Sequence, residues 1–119
     1  MLHDFEPGDF LIFQLESGYA LLRVLAVDSS DADGVWHLLS YEDLFLDTDT
    51  ADTAIENPAA LTVGLAHVAL TNRAFESTQV ARLKNAPLTE NELEGYRAWI
   101  SSEDRKVFDR SIRLLLGLR

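Results

Sequence analysis

The side chains of this chain whose ordinary pKa lies closest to neutrality are its three histidines, His3, His37 and His67. A general acid or base that works at neutral pH would be sought among them first. His37 and His67 both lie in segments that the sequence predicts as β-strands. If those strands are neighbours, the two imidazoles share one face and, with a carboxylate, make a metal site or an acid–base site. The alternative is that each is a structural histidine of the sheet.

Three carboxylates cluster in the acidic stretch between these strands, because Asp47, Asp49 and Asp52 lie within six residues. Hard cations such as Ca²⁺ bind oxygen clusters of this kind. The spacing does not match a calcium-binding loop, since the turn glycine is missing and Pro58 stands where a bidentate glutamate is needed. We therefore favour a solvated acidic loop over a metal site, and keep the three aspartates as candidate binding residues. The same interpretation applies to a second acidic trio, Asp28, Asp31 and Asp33.

Several signatures of enzymes are absent from the sequence. The chain has no cysteine, which excludes a thiolate nucleophile, a disulfide framework and the common structural zinc sites. It also has no Gly-x-Ser-x-Gly elbow and no glycine-rich phosphate loop. The sequence therefore leans against an enzyme and predicts no cofactor. The alternative is a small-molecule or metal-dependent enzyme centred on His37 and His67, with the acidic loop as a lid or ligand set.

The charge of the chain is divided unevenly along its length. Its net charge is −10, and residues 1–70 hold 13 acids and one base, whereas residues 71–119 hold seven acids and nine bases. Such a balance argues against nucleic acids and anionic membranes, which attract clustered basic residues. It favours a basic protein as partner. The opposite signs of the two segments predict that they attract each other, either within one molecule or in a self-complementary homodimer.

The length of 119 residues predicts one domain, residues 1–119, that is large enough to bury a core. No apolar run approaches the ~18 to 20 residues that cross a bilayer, and the N-terminus lacks the pattern of a secretory signal. We therefore expect a soluble, cytoplasmic protein.

Residues 1–85 read as mostly β. A turn at 7–9 precedes a strand over 10–15, and a short connection at 16–18 leads into a second strand over 19–28. After a polar loop, a third strand over 35–41 has apolar residues on both faces, which favours a small barrel. Residues 47–60 are predicted as a surface excursion, and strand-like composition returns at 61–70 and near 78–83.

Residues 89–116 read as a pair of helices. Thr89 and Glu92 form a capping-box pattern that begins the first helix. Ser101 or Ser102 is predicted to cap a second helix, whose buried face has helical spacing. That face consists of Val107, Phe108, Ile112, Leu115 and Leu116. The predicted fold class is α+β, with a small antiparallel, SH3-like β-barrel followed by the C-terminal helix pair.

Residues 7–41 resemble the opening hairpin of SH3-like small barrels. The Pro7-Gly8-Asp9 start, the strand to Leu15, the turn at Gly18 and the strand to Val27 are similar in particular to the immunity-protein 26 family of bacterial toxin-neutralising proteins. The resemblance implies an SH3-like fold and a non-enzymatic, immunity-type protein that binds a basic partner.

Overall fold

A computed structural model describes residues 5–28 and 34–118 of the chain. The candidate residues His3, Asp31 and Asp33 lie outside these ranges, as does most of the predicted loop before the third strand. Within the described part no helix is long and apolar enough to cross a membrane.

In the described part of the chain, five antiparallel strands form one sheet in the order β4-β3-β2-β1-β5. Their bounds are β1 Asp9–Leu15, β2 Gly18–Asp28, β3 Val35–Phe45, β4 Val63–Thr71 and β5 Ala81–Asn85. The first four follow one another as a meander, and β5 returns to pair with β1. The turn before β1 requires Gly8, whose φ is +96° and whose Cβ, if present, would lie 2.6 Å from the Ala86 carbonyl oxygen.

Within the described residues the sheet is open, so the small barrel that the sequence predicts is not closed. Its edges are β4 and β5, which do not pair with each other. The two-sided apolar pattern of β3 has a different cause: helices cover both faces of the sheet. Trp36 and Leu38 belong to the core cluster on one face, whereas Leu39 and Tyr41 belong to the cluster on the other.

The helices divide between these faces. Helix α1 (Thr48–Ala54) buries Ala51 on the face of Leu39, and helix α3 (Glu90–Ser101) packs Leu93 and Tyr96 against the same cluster. Helix α2 (Asn72–Glu76) and helix α4 (Ile112–Leu116) cover the opposite face with Phe75 and Ile112. A 3₁₀ turn (Pro58–Ala60) follows α1. The α+β class is therefore as predicted.

Helix α3 begins where the sequence predicts. The Thr89 hydroxyl accepts from the Glu92 backbone N–H, and the Glu92 carboxylate accepts from the Thr89 N–H, so the capping box is complete. The second predicted helix is misplaced, because Ser102 ends α3 and Ser111 caps the short α4 instead. Between them Phe108 forms a parallel bridge with Leu70 on the outer edge of β4.

A buried arginine fastens α3 to the sheet. Arg23 on β2 is 2% exposed, and its Nε donates to a Glu92 carboxylate oxygen at 3.1 Å. Its remaining groups donate to the second Glu92 oxygen and to the carbonyls of Gly8 and Pro87. The guanidinium also lies 4.0 Å above the Phe10 ring. One side chain thus joins β2, the turn before β1 and the start of α3.

Candidate functional site

The structure brings the two candidate histidines together. His37 lies opposite Ala69 in the β3–β4 pairing, and His67 stands two residues earlier on β4. As a result both side chains project from the same face. The Nδ1 atom of His37 lies 2.9 Å from the Nε2 atom of His67, and the two rings are stacked with centroids 5.2 Å apart.

This histidine pair lies beneath α3. Tyr96 and Trp99 pack against the His37 ring, with ring centroids 4.6 and 4.7 Å away. Close approach of the helix requires Gly95, because a Cβ there would lie 2.9 Å from the His67 Cβ and 3.0 Å from the Ala66 carbonyl oxygen. His37 is 1% exposed, whereas His67 is partly exposed.

The environment of the pair favours neutral imidazoles. Burial, together with repulsion from His67, lowers the pKa of His37 to about 4, although Asp28 opposes this shift. Burial also lowers the pKa of His67. A neutral pair forms one hydrogen bond in which one ring donates and the other accepts. The facing nitrogens are therefore occupied by each other, and the pair joins β3 to β4 beneath α3.

The acidic candidates lie elsewhere. The segment predicted as a loop forms α1, because the Asp47 side chain caps it by accepting from the backbone N–H and hydroxyl of Thr50. The hydrogen bonds from Thr50 lower the pKa of Asp47. Asp49 and Asp52 are exposed, and neither makes an ion pair within the described part of the chain. In residues 5–28 and 34–118 no three histidine or acidic side chains are grouped as metal ligands.

We call residues 42–56 the acidic surface. This segment contains six carboxylates and no basic residue. Two leucines project from it: Leu46, 84% exposed in the turn before α1, and Leu44, 52% exposed near the end of β3. Two exposed leucines thus lie among negatively charged side chains.

Two ion pairs that each have a buried member were not predicted from the sequence. Arg23 pairs with Glu92, and the fully buried Asp9 pairs with Arg82 and accepts from Asn85. Burial opposes ionisation of Asp9, but hydrogen bonds from Asn85, from the Glu6 N–H and from Arg82 together lower its pKa. One signal was available: Arg23 is the only basic residue before position 71 and stands inside an apolar strand.

Comparison with known proteins gives no relative. No family model matches the chain, and neither a curated protein nor a solved structure matches it significantly.

Proposed function

We propose that the protein is a non-enzymatic binding module that binds a basic protein through the acidic surface. The observation that carries this proposal is the exposure of Leu46, at 84%, within a segment that has six carboxylates and no base. A leucine buried at an interface contributes about 2 kcal/mol, and surrounding charges steer a partner of opposite sign. The acidic surface thus combines an apolar side chain that a partner can bury with carboxylates that attract a basic partner.

The resemblance of residues 7–41 to the immunity-protein 26 family adds a specific version of this proposal. In that version the fold is SH3-like and the partner is a bacterial toxin with a basic surface. The return of β5 to pair with β1 supports the SH3-like assignment.

The enzymatic alternative has one supporting observation, the contact between His37 and His67. Their facing nitrogens bind each other, and His37 is covered by Tyr96 and Trp99. A substrate would have to displace α3 to reach His37. We therefore place the binding function first.

The test compares charge-reversed variants. Asp49→Lys/Asp52→Lys reverses two exposed carboxylates and spares Asp47, whose loss would uncap α1. The matched control is Glu6→Lys/Glu103→Lys, which changes the net charge equally at exposed positions outside the acidic surface. Leu46→Asp removes the apolar side chain.

Basic proteins retained by the immobilised wild-type chain are identified, and each is then purified and titrated against all four chains by calorimetry. We expect at least a tenfold loss of affinity for Asp49→Lys/Asp52→Lys and for Leu46→Asp, little change for the control, and weaker binding as salt rises. Equal affinities for the wild type and Asp49→Lys/Asp52→Lys would refute the proposal.

A further inference from the structure

A cavity of about 890 Å³ lies between α3 and the 3₁₀ turn, on the sheet face that α1 and α3 cover. That volume is within the range of about 300 to 1,000 Å³ typical of small-molecule sites. Its walls come from β2, β3, β4, the 3₁₀ turn and the first turns of α3. The apolar part of the lining includes Leu39, Leu61, Val63, Ala66 and Pro87.

The cavity is lined by a tyrosine whose hydroxyl is not used by the described part of the chain. Tyr41 lines it and is 5% exposed, with its ring stacked on Phe10. Its hydroxyl makes no hydrogen bond with any residue in 5–28 or 34–118. The Tyr41 hydroxyl is therefore available for a hydrogen bond with a ligand in the cavity.

The hydroxyl keeps its proton at neutral pH. Burial, with the nearby carboxylates of Glu92 and Asp43, raises the pKa of Tyr41 to about 12, although Arg23 opposes this. The neutral hydroxyl has lone pairs that accept from a charged N–H, and a proton that can be donated to an acceptor.

The charges of the lining select between ligand classes. The Arg23 guanidinium is already bound by Glu92 and by two backbone carbonyls, so its charge is balanced in place. Glu94 also lines the cavity, is exposed, and makes no ion pair within the described part of the chain. The lining therefore carries a net negative charge, and the acidic first 70 residues add to it. Both the charge of the lining and the charge of the first 70 residues therefore disfavour an anionic ligand.

We infer that this cavity binds a small organic cation with an apolar body, such as an aryl or alkyl amine. The apolar body lies against Leu39, Leu61 and Val63. The ammonium group lies towards Glu94 and donates to the Tyr41 hydroxyl oxygen. This site is separate from the partner surface proposed above and does not depend on it.

The test uses three probes with the same ring and different charge: benzylamine, which is protonated at neutral pH, benzyl alcohol and benzoate. Each is titrated into the ¹⁵N-labelled full chain, and amide shifts give the location and the affinity. We expect saturable shifts at Leu39, Tyr41 and Gly95, with benzylamine binding more tightly than benzyl alcohol and benzoate weakest.

Two variants check the location. Tyr41→Phe removes only the hydroxyl, and we expect benzylamine affinity to fall about three- to tenfold, as for loss of one hydrogen bond. Ala66→Phe fills part of the cavity at an exposed strand position and should abolish binding while the chain stays folded. Asp49→Lys/Asp52→Lys should leave benzylamine binding within twofold, which separates this site from the partner surface.

The inference is overturned if no probe saturates, or if the shifts map outside the cavity. It is equally overturned if benzylamine binds no more tightly than benzyl alcohol, or if neither Tyr41→Phe nor Ala66→Phe weakens it.

Discussion

At the scale of single residues, Arg23 and Glu92 form a largely buried ion pair that joins β2 to the start of α3. Removing one member of a buried ion pair leaves the other charge uncompensated. Glu92→Gln removes the charge but keeps a side chain that completes the capping box. We expect it to lower the free energy of unfolding by about 2 to 3 kcal/mol, measured by urea denaturation.

The matched control for this change is Glu90→Gln, which breaks the ion pair with Arg97. Both members of that pair are exposed, so the urea midpoint should not move measurably. Equal effects of Glu90→Gln and Glu92→Gln would contradict the role given to Arg23.

The histidine pair predicts a specific pH dependence. His37 has a pKa of about 4 in the folded chain, against an ordinary value of 6.5. As pH falls below 6.5 the unfolded chain takes up the proton first, so the stability that neutral His37 contributes is complete above pH 6.5 and is lost towards pH 4. Over that range the loss is on the order of 2 to 3 kcal/mol.

Urea denaturation between pH 7 and pH 5 measures the effect of the histidine pair, because burial lowers the pKa of His67 as well as that of His37. The stabilising carboxylates Asp9 and Glu92 have lowered pKa values, so their contribution is lost only at more acidic pH. His37→Gln should reduce the slope of stability against pH between pH 7 and pH 5 and leave the part that His67 contributes. An unchanged slope in that variant would show that another group titrates there.

At the scale of elements, Gly95 governs how closely α3 approaches β4. Alanine is the better helix former by about 1 kcal/mol, so Gly95→Ala would stabilise an isolated helix. In the folded protein its Cβ would meet His67 and the Ala66 carbonyl, and we expect a net loss of about 1 to 2 kcal/mol in urea denaturation. Glu94→Ala, at an exposed site on the same helix, should be neutral. A stabilised Gly95→Ala chain would show that α3 sits further from the sheet.

The elements also show what the sequence could predict. Strands β1 to β4 and the start of α3 follow from alternation, turn residues and the capping box around Thr89. Helix α1 was missed because a helix of seven residues is too short to show a periodicity. The second helix was placed too early because Ser102 can either end or begin a helix, and Phe108 belongs to the edge of β4.

The candidate site was only partly predictable, because strand pairing can be inferred from the sequence but the position of α3 over the sheet cannot. Sequence alone indicated that His37 and His67 would meet if β3 and β4 paired, and they do pair. It gave no sign that α3 would cover them, because that depends on the contact between Gly95 and β4. The cavity beside Tyr41 likewise depends on how α3 and the 3₁₀ turn sit over the sheet.

At the scale of the whole molecule, the uneven charge predicts how stability responds to salt. The ion pair of Asp9 with Arg82 joins the acidic first part of the chain to its basic second part. The carboxylates of the acidic surface, in contrast, repel one another. Salt screens repulsion between exposed charges, so the free energy of unfolding should rise between 0.02 and 0.5 M NaCl.

Asp49→Lys/Asp52→Lys should reduce this rise, because it relieves the repulsion directly. A fall in stability with salt would instead favour attraction between the two parts of the chain, and an accompanying dimer would be detected by sedimentation.

The bridge between Phe108 and the outer edge of β4 has a consequence for how the protein is made. Until residue 108 leaves the ribosome, the backbone amide of Thr71 and the carbonyl of Ala69 lack the partners that Phe108 later provides. A nascent chain that has already emerged through β4 therefore displays a strand border to which another copy can attach. Emergence of Phe108 is thus the step that covers this part of the β4 edge.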